Sequence, residues 1–179
     1  MYTWIALFRG INVGGKNRVP MAALRLMFES VGCKAVRSYI QSGNVVFESR
    51  FRSKRELARR ISDATEEQFG FNPDVIFLSK DEFAIAVATN PFADAISAPK
   101  TMHFFFLADS PVDFDSREMA KIAIESERYE LIGDIFFLHA PDGFGTSKLA
   151  ANIEHKLGVA ATARNYSTIA NIVTLIESQ

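Results

Sequence analysis

Two tight-turn signals constrain this chain more than anything else in it. Gly43-Asn44 lies between the apolar runs Ala35–Ile40 and Val45–Phe47, and Gly133-Asp134 lies between Tyr129–Ile132 and Ile135–Leu138. Gly, Asn and Asp tolerate the positive φ that short hairpins require, so each pair joins two antiparallel strands. Around each hairpin the order is the same. Trp4–Phe8 reads as a buried strand, and Met21, Leu24, Met27, Phe28 and Val31 mark a helical face, with Pro20 in its first turn and Gly32 as its stop. After the first hairpin, Ser53-x-x-Glu56 is a capping box opening a second helix that ends at Gly70, and Val75–Leu78 is the next strand.

The order then repeats. Ser79-x-x-Glu82 opens a short helix that must stop before Pro91. Met102–Leu107 is a strand, and Asp115-x-x-Glu118 caps a helix carrying Met119, Ile122 and Ala123. After the second hairpin, Ser147 starts a helix with Leu149, Ile153 and Leu157 on one face, and Val159–Ala163 is a strand. Asn165 caps a last helix whose buried face is Ile169, Ile172, Val173 and Ile176. The expected fold is therefore α+β: two ferredoxin-like βαββαβ subdomains, each an antiparallel sheet with helices packed on one face, in a duplicated topology. The expected division is residues 1–90 for the first subdomain, 91–100 for a linker bounded by Pro91 and Pro99, and 101–179 for the second with its C-terminal helix.

Composition narrows the function classes. With 48% hydrophobic residues and 16 Phe, the 179-residue chain has enough apolar surface to fold. Twenty basic and 21 acidic residues leave a net charge of −1, so no global field draws it to nucleic acid or anionic membrane. A lone cysteine, Cys33, excludes an intrachain disulfide and fits a reducing compartment. The N-terminus reads as a strand instead of an export signal, and no apolar run approaches the roughly 20 residues of a membrane helix. A cytoplasmic location is expected.

The sharpest motif is Gly10-x-x-x-x-Gly15-Lys16, which follows a strand as a phosphate-binding loop does. Asn17 replaces the magnesium-binding Ser/Thr, the helix starts too late at Pro20, and hairpins do not suit the parallel crossovers of nucleotide hydrolases. A looser anion-binding role for Arg9, Asn12, Lys16 and Arg18 remains, against a plain solvated basic loop. A second polar cluster, Arg37, Tyr39, Gln41, Ser42 and Asn44, is open to a binding role or to a hairpin satisfying its own turn. A third is Arg164-Asn165, where Asn165 is an N-cap and Arg164 suits an acidic ligand or a carboxylate. In a ferredoxin-like sheet strands one and three are expected to run parallel, which puts the loop after strand one and the hairpin at opposite ends; Arg9–Arg18 and Gln41–Asn44 are then separate, or the second half bridges them.

His103, His139 and His155 lack metal-ligand spacing, and Cys33 has no activating neighbour in sequence. No metal, cofactor or nucleophile–base pair is indicated. Phe104–Phe106 suggests a base-stacking platform, but consecutive strand residues alternate faces, so at least one points into the core.

Three stretches together, Phe8-Arg9-Gly10-Ile11-Asn12-Val13-Gly14-Gly15-Lys16-Asn17, Tyr39-Ile40-Gln41-Ser42-Gly43-Asn44-Val45-Val46-Phe47 and Thr162-Ala163-Arg164-Asn165-Tyr166, resemble the signatures of a mainly bacterial family known as domain of unknown function 1697. Tyr166 stands where that family usually has Trp. The resemblance implies a cytoplasmic protein with two ferredoxin-like subdomains and carries over no catalytic residue. The resulting expectation is a binding or interaction module for an anionic small molecule or partner. The alternatives are a cofactor-independent enzyme acting on a phosphorylated or carboxylated substrate and, less favoured, a nucleic-acid binder. The oligomeric state is not legible.

Overall fold

The computed structural model describes residues 1–15, 17–112 and 114–178. The chain divides into two compact units, Met1–Ile85 with Ala170–Gln179 and Ala86–Ile169.

The first unit runs β1 (Tyr2–Phe8), α1 (Met21–Ser30), β2 (Lys34–Tyr39), β3 (Asn44–Ser49), α2 (Lys54–Phe69) and β4 (Val75–Ser79), then enters α3 (Lys80–Ala88). Its four strands stand in the order β2-β3-β1-β4 and all neighbours are antiparallel. The second unit repeats this with β5 (Met102–Leu107), α4 (Ser116–Ala120), β6 (Arg128–Ile132), β7 (Ile135–His139), α5 (Lys148–Leu157) and β8 (Ala161–Asn165), followed by α6 (Tyr166–Glu177). Its sheet order, β6-β7-β5-β8, is that of the first, again antiparallel throughout. The duplicated ferredoxin-like architecture is thus present in both halves.

The local chemistry explains where the elements begin. Ser53 Oγ accepts the Glu56 N–H, Ser147 Oγ the Ala150 N–H, and Asn165 Oδ1 the Thr168 N–H. Ser79 and Glu82 cap α3 reciprocally, hydroxyl to backbone N–H and carboxylate to backbone N–H. Gly70 and Gly158 close α2 and α5 in the left-handed conformation. The helix expected to reach Ala123 is instead the five-residue α4. Glu127 accounts for this: its carboxylate accepts the Ile124 N–H and the Ser147 hydroxyl, which holds the chain in a turn where the helix would have continued.

Each sheet packs its helices through an aromatic core. In the first unit Phe8, Phe28, Phe47 and Phe77 form an edge-to-face chain with centroids 6.1, 4.9 and 6.5 Å apart, between β1, β3, β4 and α1. Leu24 and Met27 of α1 and Leu57 and Ile61 of α2 complete this core. Cys33 lies within it, and burial pushes its thiol up to about 11, which makes it inert. In the second unit Phe105, Phe136, Leu138, Leu149 and Ile153 play the same part. The opposite sheet faces are buried too: Ile5, Leu7 and Val46 in one sheet and Phe104, Phe106 and Phe137 in the other are all within 1% of full burial. Phe104, Phe105 and Phe106 are all buried, so the stacking platform considered from sequence does not exist. No helix among the described residues is long and apolar enough to cross a membrane.

The two turns differ in length, and in the room around their glycines. Gly43 has φ +73°, and a Cβ there would sit 2.5 Å from Phe8 Cβ and 2.6 Å from Ile11 Cδ1. Gly133 has φ +57° but faces open space. Gly43→Ala is expected to destabilise the protein by about 3 kcal/mol or more, adding overpacking to backbone strain, while Gly133→Ala costs about 1 kcal/mol. Urea unfolding of the two variants measures the difference.

Candidate functional site

The strand directions correct one expectation from the sequence. β1 and β3 are antiparallel, with Leu7 opposite Asn44, so the loop leaving β1 and the β2–β3 hairpin share one end of the sheet. The physical reason is the connection through α1: a crossover helix returns the chain parallel to β1 in β2, and the hairpin then reverses it in β3. Phe8 N–H donates to the Gly43 carbonyl at 2.9 Å and Arg9 N–H to the Asp74 carbonyl at 2.9 Å, which fixes hairpin, loop and the start of β4 together.

Asn12 is the clasp. Its Nδ2 donates to the carbonyls of Val19 (2.9 Å) and Gln41 (2.8 Å), and its Oδ1 accepts the Val19 N–H at 2.8 Å. It sits at φ +55°, a conformation that Asn bears more readily than most residues. The loop also closes on itself, Asn12 N–H to the Asn17 carbonyl and Asn17 Nδ2 to the Gly10 carbonyl. Gly10, Gly14 and Gly15 all have positive φ, interleaved with Asn12 and Asn17. Arg9, Arg18 and Gln41 are exposed around this frame. Arg9 pairs with Asp74 at 3.3 Å, both side chains well exposed. Lys16 lies outside the described residues.

The hairpin residues divide. Asn44 is fully buried, and its Nδ2 donates to the Tyr39 carbonyl and the Ser42 hydroxyl, both at 3.1 Å. Asn44 and Ser42 therefore serve the turn. Ile40 was not singled out from sequence, yet it is half-exposed at φ +48°. A β-branched residue in that conformation is strained, and only its neighbours in the chain, Gln41 to Asn44, hinted at it.

Arg164 and Asn165 belong to the second unit. Arg164 is 7% exposed, and its Nη1 donates to Thr162 Oγ1 and the Ala163 carbonyl, both at 2.8 Å. Burial lowers its pKa to about 10. Elsewhere in this unit Arg128 grips Asp94 with two hydrogen bonds (3.1 and 2.7 Å) and donates to His139 Nδ1, tying the 3-10 turn Ala93–Ser97 to β6. Those hydrogen bonds hold the Asp94 carboxyl below its usual range. A cavity of about 400 Å³ lies beside the start of α5. Its buried carboxylate, Glu127, already accepts from Ser147 and Ile124.

The family model for "Protein of unknown function (DUF1697)" matches residues 1–137. The chain belongs to the DUF1697 family. That match takes in the β1–α1 loop and the hairpin and ends before Arg164. The chain is also similar to the structure of conserved bacterial protein SP0830 from Streptococcus pneumoniae, at 25% identity and a TM-score of 0.73, covering 97% of this chain and 98% of that one. No curated protein matches this DUF1697 chain.

Two measurements test the framework. Asn12→Asp keeps the acceptor but loses both donations, and is expected to destabilise the protein by about 2 kcal/mol in urea unfolding. His103 is 6% exposed and stacked on Phe144 at 3.9 Å, and burial lowers its pKa from 6.5 to about 4 against the pull of the Thr101 carbonyl. Above pH 6.5 the imidazole is neutral whether folded or unfolded; below it the unfolded chain takes the proton first, so stability falls down to about pH 4. His103→Phe is expected to lose about 3 kcal/mol less than wild type over that range.

Proposed function

We propose that this protein binds a small anionic ligand at the end of the first sheet, through the β1–α1 loop with Arg9, Arg18 and Lys16 and with Gln41 beside it. The observation that carries the reading is a contrast between the two units. Leu107 N–H and Ala108 N–H donate to the Asp134 and Ala160 carbonyls just as Phe8 and Arg9 donate to Gly43 and Asp74, so these bonded positions correspond. Arg9 then answers to Ala108 and Asp74 to Ala160, while Gln41 and Ser42 lie in a turn between the paired Tyr39 and Asn44 that is two residues longer than the one between the paired Ile132 and Ile135. The fold is made equally well without these polar groups, so packing does not require them.

Two further features support it. Gly14 and Gly15 are exposed and present no Cβ, so an anion can approach the loop backbone closely. An exposed ion pair such as Arg9–Asp74 contributes under about 1 kcal/mol, so an incoming anion competes with Asp74 on easy terms.

Isothermal titration with inorganic phosphate tests the reading. Arg9→Ala combined with Arg18→Ala is expected to weaken binding about tenfold or more, and Asp74→Asn to strengthen it by removing the competing carboxylate. Equal affinity in wild type and the double variant would sink the proposal.

A further inference from the structure

Arg37 is an unexplained group. It lies on β2 opposite Val46, on the sheet face away from α1, since its neighbour Ser38 accepts a hydrogen bond from Arg25 of that helix. Its Nε and Nη2 are buried and have no hydrogen-bond partner among the described residues. A guanidinium stays charged at any ordinary pH, and burying its N–H groups without acceptors is costly. A native protein seldom leaves such groups unanswered.

The pair of atoms is informative. Nε–H and Nη2–H form one edge of the planar fork, the edge that takes both oxygens of a carboxylate or two oxygens of a phosphate side by side. The fold does not impose this. In the second unit the register of β6 on β7 puts Glu130 at the corresponding place, opposite Phe137, and Glu130 is exposed. Arg37 is two residues from the Tyr39–Asn44 pair that ends the ladder, about 7 Å along the strand, so it is near the hairpin yet distinct from the loop cations.

We infer that the Nε–Nη2 edge of Arg37 holds an oxyanion, a carboxylate or a phosphate of a small molecule, in a bidentate grip on the second face of the first sheet. The inference goes beyond the loop reading, because it names a different residue, a different face and a defined coordination.

The test follows the arginine Nε–H resonances of the full chain by ¹⁵N NMR during separate titrations with inorganic phosphate and with acetate. The Arg37 signal, assigned by its loss in Arg37→Lys, is expected to shift saturably with at least one of them; which one distinguishes phosphate from carboxylate. By calorimetry Arg37→Lys, which keeps the charge and loses the fork, is expected to bind that anion about tenfold more weakly. Arg37→Met is expected to raise the Tm of the anion-free protein, because it removes buried Nε–H and Nη2–H groups that have no acceptor among the described residues. An Arg37 signal unmoved by both anions, equal affinity in Arg37→Lys, or a lower Tm in Arg37→Met would each overturn the inference. The Arg9 and Arg18 signals report the loop in the same titration, so either site can fail alone.

Discussion

The contact between the β2–β3 hairpin and β1 is the constraint on which the first unit turns. Phe8 donates to the Gly43 carbonyl, and the missing side chain of Gly43 lets Phe8 and Ile11 come within a distance that no Cβ would permit. Phe8 begins the aromatic chain through Phe28 and Phe47, so the same approach that closes the turn also seats the core. Asn12 reaches across from the loop to Gln41 only because the hairpin is that close. Core packing, loop conformation and the display of Arg9 and Arg18 therefore share one origin.

Much of this was legible in the residues. The caps at Ser53, Ser79, Ser147 and Asn165 were readable because capping is local: a side chain answers an N–H two or three residues away. The hairpins were readable for the same reason. Strand direction was not local, and the mistaken parallel pairing of strands one and three separated a loop and a hairpin that are in contact. The length of α4 was hidden because Glu127, which holds the chain in a turn beyond it, draws on Ser147, twenty residues away. Gly43 and Gly133 look alike in sequence; that only one is pressed against a neighbouring strand depends on Ile11 folding back over the turn.

The candidate residues separated by burial, which sequence could not supply. Asn44 and Asn165 are polar groups serving the backbone, one inside a turn and one at a helix start. Arg37 stood in a polar cluster open to a binding role and Arg164 suited an acidic ligand or a carboxylate; burial reaches the guanidinium of the first and nearly all of the second. A long cationic side chain can reach into water or fold inward, and its own sequence neighbours do not decide which.

Internal duplication supplies a control that a single domain lacks. The two sheets share strand order and matching first-strand hydrogen bonds, so each position in one unit shows what the fold accepts at its twin. Ser79 and Asn165 are twins, and both cap the helix that follows; that role belongs to the fold. Arg164 is the twin of Leu78, Arg37 of Glu130 and Arg9 of Ala108. At these places the fold is built with an apolar, an oppositely charged or a minimal side chain, so packing does not call for arginine. Arg164 is buried where the twin position holds a leucine; burial lowers its pKa, and its Nη1 donates to Thr162 Oγ1 and the Ala163 carbonyl. At these positions the arginine belongs to this chain's sequence and not to the requirements of the shared fold.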